Sequence, residues 1–108
     1  IGDAAIAGVM PKSGFSANNQ AKVTAAAVIA LLKEKEPTSY SISNTCYSFL
    51  APDYAISVSA IYQLSDRELV KVKGSGGVSP LNAELSERRA EAVYAQRWYD
   101  SITQDMFG

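Results

Sequence analysis

The 108 residues contain no histidine and a single cysteine. Without histidine the chain cannot assemble a Ser-His-Asp triad. With one thiol it holds neither an internal disulfide nor a self-contained zinc site, and no metal ligand set is expected. Whatever chemistry takes place here is shared with residues outside the sequence. An excess of one charge is also missing: ten basic against eleven acidic residues leave a net charge of −1. No long-range field therefore draws the chain to nucleic acid or to an anionic membrane. The longest apolar run, Ala25 to Leu32, falls far short of a bilayer and continues an amphipathic pattern, so no membrane span is expected. No internal repeat or low-complexity tract appears. The opening Ile1-Gly2 carries no initiator methionine, basic n-region or cleavable apolar segment. It reads as the start of a fragment of a longer protein, with any signal peptide in the missing part.

What is present is ordinary for a small globular domain, with 47% hydrophobic residues. From Ala17 to Glu36 the residues Ala21, Ala25, Val28, Ile29 and Leu32 recur at helical spacing, and Pro37 stops the pattern. Ser16 is placed to cap this helix. Between Ser39 and Lys73 the period becomes two, with Tyr54, Ile56, Val58, Ala60 and Tyr62 alternating against Ala55, Ser57, Ser59, Ile61 and Gln63. Tyr40 to Leu50 is the partner strand across Ala51-Pro52-Asp53, and Ser65-Asp66-Arg67 turns the chain into Glu68 to Lys73. Gly74-Ser75-Gly76-Gly77 reads as a flexible linker, lacking the Gly-Lys-Ser ending of a phosphate loop. A last helix begins between Leu81 and Glu84 and runs to about Thr103. Its apolar stripe is Leu85, Ala90, Val93, Tyr94, Trp98 and Ile102, and Glu84, Glu87, Arg88, Glu91 and Asp100 form a solvated face. The expected fold is α+β: an N-terminal helix, a three-stranded antiparallel sheet and a C-terminal helix packed on it.

Several residues could carry chemistry. Gly2-Asp3-Ala4 suits a strand end where glycine lets the backbone approach a ligand and aspartate accepts from a hydroxyl, such as the ribityl chain of FAD. The same dipeptide also serves as a plain turn. The loop Met10-Pro11-Lys12-Ser13-Gly14-Phe15-Ser16 leads into a helix whose N–H groups and positive dipole end favour an anion. Cys46 is either a small buried hydrophobe or a reactive thiol. Trp98, the only tryptophan, lies at helical spacing on the apolar stripe, where it can both fill a core and present its ring to a ligand.

Taken together, Gly2-Asp3-Ala4, the run Pro11 to Gln20, Asn44-Thr45-Cys46-Tyr47-Ser48 and Arg97-Trp98-Tyr99-Asp100 resemble the C-terminal flavin-binding region of the flavoprotein subunit of flavocytochrome c sulfide dehydrogenase. The resemblance implies that residues 1–37 end an FAD-binding region and residues 38–108 form a C-terminal domain. It implies FAD as cofactor, sulfide as substrate, a haem-carrying c-type cytochrome subunit as partner and a periplasmic location. Cys46 would form a redox-active disulfide beside the flavin with a cysteine from an earlier part of the chain. Gly2, Asp3, Ala4, Lys12, Ser13, Thr45 and Trp98 would contribute to the cofactor site, with Lys12 stabilising a reduced anionic flavin. Phe15 and Thr45 lie in runs that resemble the face toward the cytochrome, and Phe15 lacks the hydroxyl that relatives can carry as tyrosine. The isolated stretch would be inactive.

Two other resemblances stand beside this one. The parent could be a related sulfur-oxidation flavoprotein or a sulfide:quinone reductase, though no amphipathic tail follows Trp98 before Met106-Phe107-Gly108. In a different class, Leu85 to Val93 resembles the helix of OmpA-like peptidoglycan-binding domains, where Arg89 would hold a peptide-stem carboxylate. That fold also wants a Thr-Asp pair after the preceding strand, and Gly74-Ser75-Gly76-Gly77 supplies no aspartate.

Overall fold

Helix α1 spans Gly14–Leu32 in the computed structural model, which describes residues Ile1–Gly108. Its N-cap is Ser13, not Ser16. Ser13 has extended backbone, with φ −152° and ψ 159°, and its Oγ accepts the Ser16 N–H at 3.1 Å. Ser16 sits inside the first turn and is 1% exposed. The helix also ends before the expected stop at Pro37. Lys35 N–H reaches the Ala30 carbonyl at 2.9 Å and Glu34 N–H the Leu31 carbonyl at 3.0 Å, with Glu34 at φ 54°. This pair of bonds is the Schellman closure, which needs one left-handed residue and usually finds it in glycine.

The sheet has four strands rather than three: β1 (Ile42–Ala51), β2 (Tyr54–Ser65), β3 (Glu68–Lys71) and β4 (Gly77–Val78). The order is β1-β2-β3, with β4 also on β2. Asp66 and Arg67, at φ 47° and 70°, make the two-residue turn whose handedness matches strand twist. That turn sets Ser65 opposite Glu68 and Tyr62 opposite Lys71 in an antiparallel ladder. The glycine-rich segment is not a loose linker. Gly74 and Gly76 take positive φ, and the Ser75 hydroxyl stands in for a ladder group, accepting from Ile61 N–H at 3.0 Å and donating to the Val72 carbonyl at 2.7 Å. The chain then rejoins β2, with Gly77 opposite Ser59 and Val78 opposite Val58.

The molecule divides into two compact units. One comprises Ile1–Asn44 and Ala60–Ser75, the other Thr45–Ser59 and Gly76–Gly108. In the first, Met10, Ile42, Ala60 and Tyr62 form the core, with Ala7, Val23 and Leu69 against it. Gly8 lies so close to β3 that a Cβ there would fall 2.4 Å from the Leu69 carbonyl oxygen. The expected stripe of α1 is not part of this core: Val28, Ile29 and Leu32 are exposed, and the only fully buried residue of the helix is Ser16.

In the second unit, helix α2 covers Leu85–Phe107, longer at its C-terminal end than its periodicity suggested. Glu84 N–H donates to the Glu87 carboxylate at 3.0 Å, half of a capping box that starts the helix. The face it buries carries Arg88, Ala92 and Ala95, at the i, i+4, i+7 spacing of one helical side. Leu85, Val93 and Tyr94 are instead about half exposed. The expected stripe is therefore out of phase at this end of the helix, although Trp98 and Ile102 remain half-buried. The helix lies on the sheet, since Glu91 is hydrogen-bonded to Ser57 of β2. Ala55 of β2 is fully buried, so the side chains buried on both elements are small.

Candidate functional site

The first unit holds the corner built from the N-terminal residues. Gly2, Asp3 and Ala4 form a 3-10 turn, not a strand end. The correction has a local cause: Gly2 adopts φ 64° and its N–H donates to the Gln20 side chain at 2.8 Å, which tucks the turn against α1. Lys12 Nζ donates to the Asp3 carbonyl at 2.5 Å, closing the loop between them. Gly2, Asp3 and Lys12 thus line one cleft of about 80 Å³, together with Ser16, Ala17 and Gln20. Ala4 belongs to the turn but not to the cleft wall, and Ser13 does not line it either. The Ser13 hydroxyl is already engaged, donating to Asn44 Oδ1 at 2.6 Å while it caps α1.

The second unit holds the remaining candidates. Thr45 and Cys46 are half-buried neighbours on β1, and strand alternation sends their side chains to opposite faces. Tyr47 follows, its ring 6.2 Å from that of Trp98 with the planes tilted by 38°. Tyr47, Phe49, Ala95, Gln96, Trp98 and Tyr99 line a pocket of about 380 Å³, within the size range of ligand sites. Its walls carry no charged side chain. Burial, and after it the Glu91 carboxylate and Tyr94, push the Tyr47 phenol up, so it remains a hydrogen-bond donor at neutral pH.

Beneath this helix lies a polar network that sequence reasoning assigned to solvent. Arg88 is 3% exposed. Its Nη1 meets Glu91 at 3.2 Å, its Nη2 donates to the Pro80 carbonyl, and its guanidinium lies 5.6 Å from the centre of the Tyr54 ring. Glu91 also accepts from Ser57 Oγ at 2.8 Å and from Ser79 Oγ. Burial alone would raise the Glu91 carboxyl, but the hydrogen bonds from Ser79, Ser57 and Arg88 outweigh it and hold the group below its ordinary value. The signal available in the sequence was the Arg88-x-x-Glu91 spacing, which reads equally as a surface pair. Arg89, by contrast, is exposed and pairs with Asp53 at 3.2 Å.

Residues 38–107 match the model of the family described as "Flavocytochrome c sulphide dehydrogenase, flavin-binding". The chain belongs to this family. The flavocytochrome c sulfide dehydrogenase match makes a flavin the cofactor and an oxidoreductase the parent activity, and the family name implies a cytochrome c partner. It takes in Thr45, Cys46 and Trp98, while Gly2, Asp3, Ala4, Lys12 and Ser13 precede it. No helix is long and apolar enough to cross a membrane. The corner's donor set, the Lys12 ammonium beside Asp3 and the Gln20 amide, is of a chemistry that a hydroxylated chain can bond.

Proposed function

We propose that the chain is the C-terminal part of a periplasmic sulfide dehydrogenase flavoprotein. Residues 1–37 would end its FAD-binding region and residues 38–108 would form its C-terminal domain. The observation that carries this reading is the family match across Cys46 and Trp98. Gly2 and Asp3 offer the corner to the ribityl chain. Lys12 brings a positive charge to it, and Trp98 presents an aromatic wall. Ala4, Ser13 and Thr45 would complete the set of cofactor contacts that the resemblance implies. A bound FAD supplies acceptance of an electron pair and its release one electron at a time.

Cys46 supplies one sulfur of a disulfide whose other half lies outside this sequence. HS⁻ attacks one disulfide sulfur: a new S–S bond forms, the old one breaks, and the other sulfur leaves as a thiolate carrying the electron pair. A bound FAD would supply the acceptor for that pair, the thiolate closing an S–S bond onto the persulfide as a proton leaves, and the haem of the cytochrome subunit would take the electrons singly. The half-buried setting of Cys46 suits this step, since sulfide can approach while bulk water is partly excluded from the persulfide. Cys46→Ser in the complete protein should abolish sulfide-dependent cytochrome c reduction while leaving the flavin absorption band in place. Normal turnover by the variant would overturn the disulfide assignment.

A further inference from the structure

We propose that Asn44 is a positioning residue that fixes the strand face on which Cys46 is presented. The inference rests on the reading of Cys46 as a reacting sulfur. Asn44 is 3% exposed, and its Oδ1 accepts from two hydroxyls, Ser13 Oγ at 2.6 Å and Ser16 Oγ at 3.0 Å. Ser13 Oγ also lies 3.2 Å from Ser16 Oγ. It has only one proton, and the shorter contact to Asn44 claims it. Its lone pairs receive the Ser16 N–H at 3.1 Å. One amide oxygen thus gathers the hydroxyl that caps α1 and a second hydroxyl that is 1% exposed. Two directional bonds converging on one atom resist both sliding and rotation of the strand start. The neighbouring core residue Ile42 contributes apolar contact, which tolerates either motion.

Asn44 and Cys46 are alternate residues of β1, so their side chains lie on the same face, about 7 Å apart along the strand. A slip of one residue turns every side chain to the opposite face. The anchor at Asn44 therefore decides the face from which the Cys46 sulfur is offered. Reactions between positioned groups lose about 10²-fold for a misplacement of 1 Å.

The experiment compares Asn44→Ala, Asn44→Asp, Ser16→Ala and Cys46→Ser in the complete flavoprotein, each assayed for flavin content, kcat and KM. Asn44→Ala should lower kcat for sulfide by about 10- to 100-fold with flavin content unchanged. Asn44→Asp, which retains an acceptor oxygen for both hydroxyls, should recover most of the loss. Ser16→Ala removes one of the two donors and should give a smaller drop; it tests the idea even where Asn44→Ala fails to fold. Turnover within twofold of the parent in Asn44→Ala or Ser16→Ala, with Cys46→Ser inactive, overturns the positioning role alone. An Asn44→Asp variant as impaired as Asn44→Ala also overturns it, since the acceptor would then not be what matters. Normal turnover in Cys46→Ser overturns the reading on which the role depends.

Discussion

Replacing Glu91 by alanine should destabilise the fold by about 2 kcal/mol, although the residue sits on a helix face whose sequence reads as solvated. The magnitude follows from what the carboxylate holds: the hydroxyls of Ser57 and Ser79 and the guanidinium of Arg88 at 3.2 Å. Removing one partner of a buried pair typically costs about 3–5 kcal/mol, because the other charge is left uncompensated. The Glu91 side chain is 19% exposed, so water reaches it and the lower figure of about 2 kcal/mol is appropriate. For a domain of this size that is a fall in Tm of about 8–16 °C, measurable by circular dichroism. The sign of the pH dependence is also determined. The folded carboxyl lies below its ordinary value, so its contribution is complete above the unfolded value of about 4.3 and is lost as pH falls through the folded one. Glu91→Gln mimics the protonated state, so its deficit against the parent protein should shrink over that same acidic window. A Glu91→Ala loss below about 0.5 kcal/mol, or a Glu91→Gln deficit that grows on acidification, would refute the reasoning.

Arg89→Ala, one residue from the buried Arg88, should cost no more than about 0.5 kcal/mol in urea unfolding, because both members of its pair with Asp53 are more than half exposed. Gly8→Ala should lower stability by about 2–4 kcal/mol, since its Cβ would fall 2.4 Å from the Leu69 carbonyl oxygen at a φ of 57°; an unchanged denaturation midpoint would count against that close approach. Glu34→Gly should raise stability by about 0.5–1 kcal/mol by relieving a side chain from the left-handed position of the α1 terminus, and a lower Tm would contradict the assigned cap.

Much of the architecture was legible because its signals are local. The long helices follow from alanine content and helical spacing, and the β2–β3 hairpin follows from period-two alternation broken at Asp66-Arg67. The errors share a different character. Ser13 rather than Ser16 caps α1 although both serines suit the role by type, and only the fold shows both hydroxyls gathered by Asn44, far along the chain. The fourth strand reads as a linker in the sequence because glycine is a poor strand former. The Ser75 hydroxyl that carries the chain past the gap is recognisable only once Ile61 stands opposite it. Of the site candidates, Gly2, Asp3 and Lys12 do share a cleft, and Trp98 shares a pocket with Tyr47 and Phe49. The sequence marks Tyr47 only as part of a motif, since nothing local pairs it with Trp98.

By itself the sequence determined the class of the chain: helices and antiparallel strands, no histidine and one thiol, for which composition and short-range periodicity suffice, because they record which residues are available and how each segment bends. The family came from the resemblance of its motif runs to flavocytochrome c sulfide dehydrogenase. The phase of α2 was decided by tertiary structure, which turned Arg88 inward and left Val93 and Tyr94 half exposed. The reason is physical. A buried guanidinium requires a carboxylate, and the Glu91 carboxylate is held in turn by hydroxyls from β2 and from the segment after β4. Such a network exists only when residues distant in sequence meet, and it can outweigh the hydrophobicity of a helix stripe.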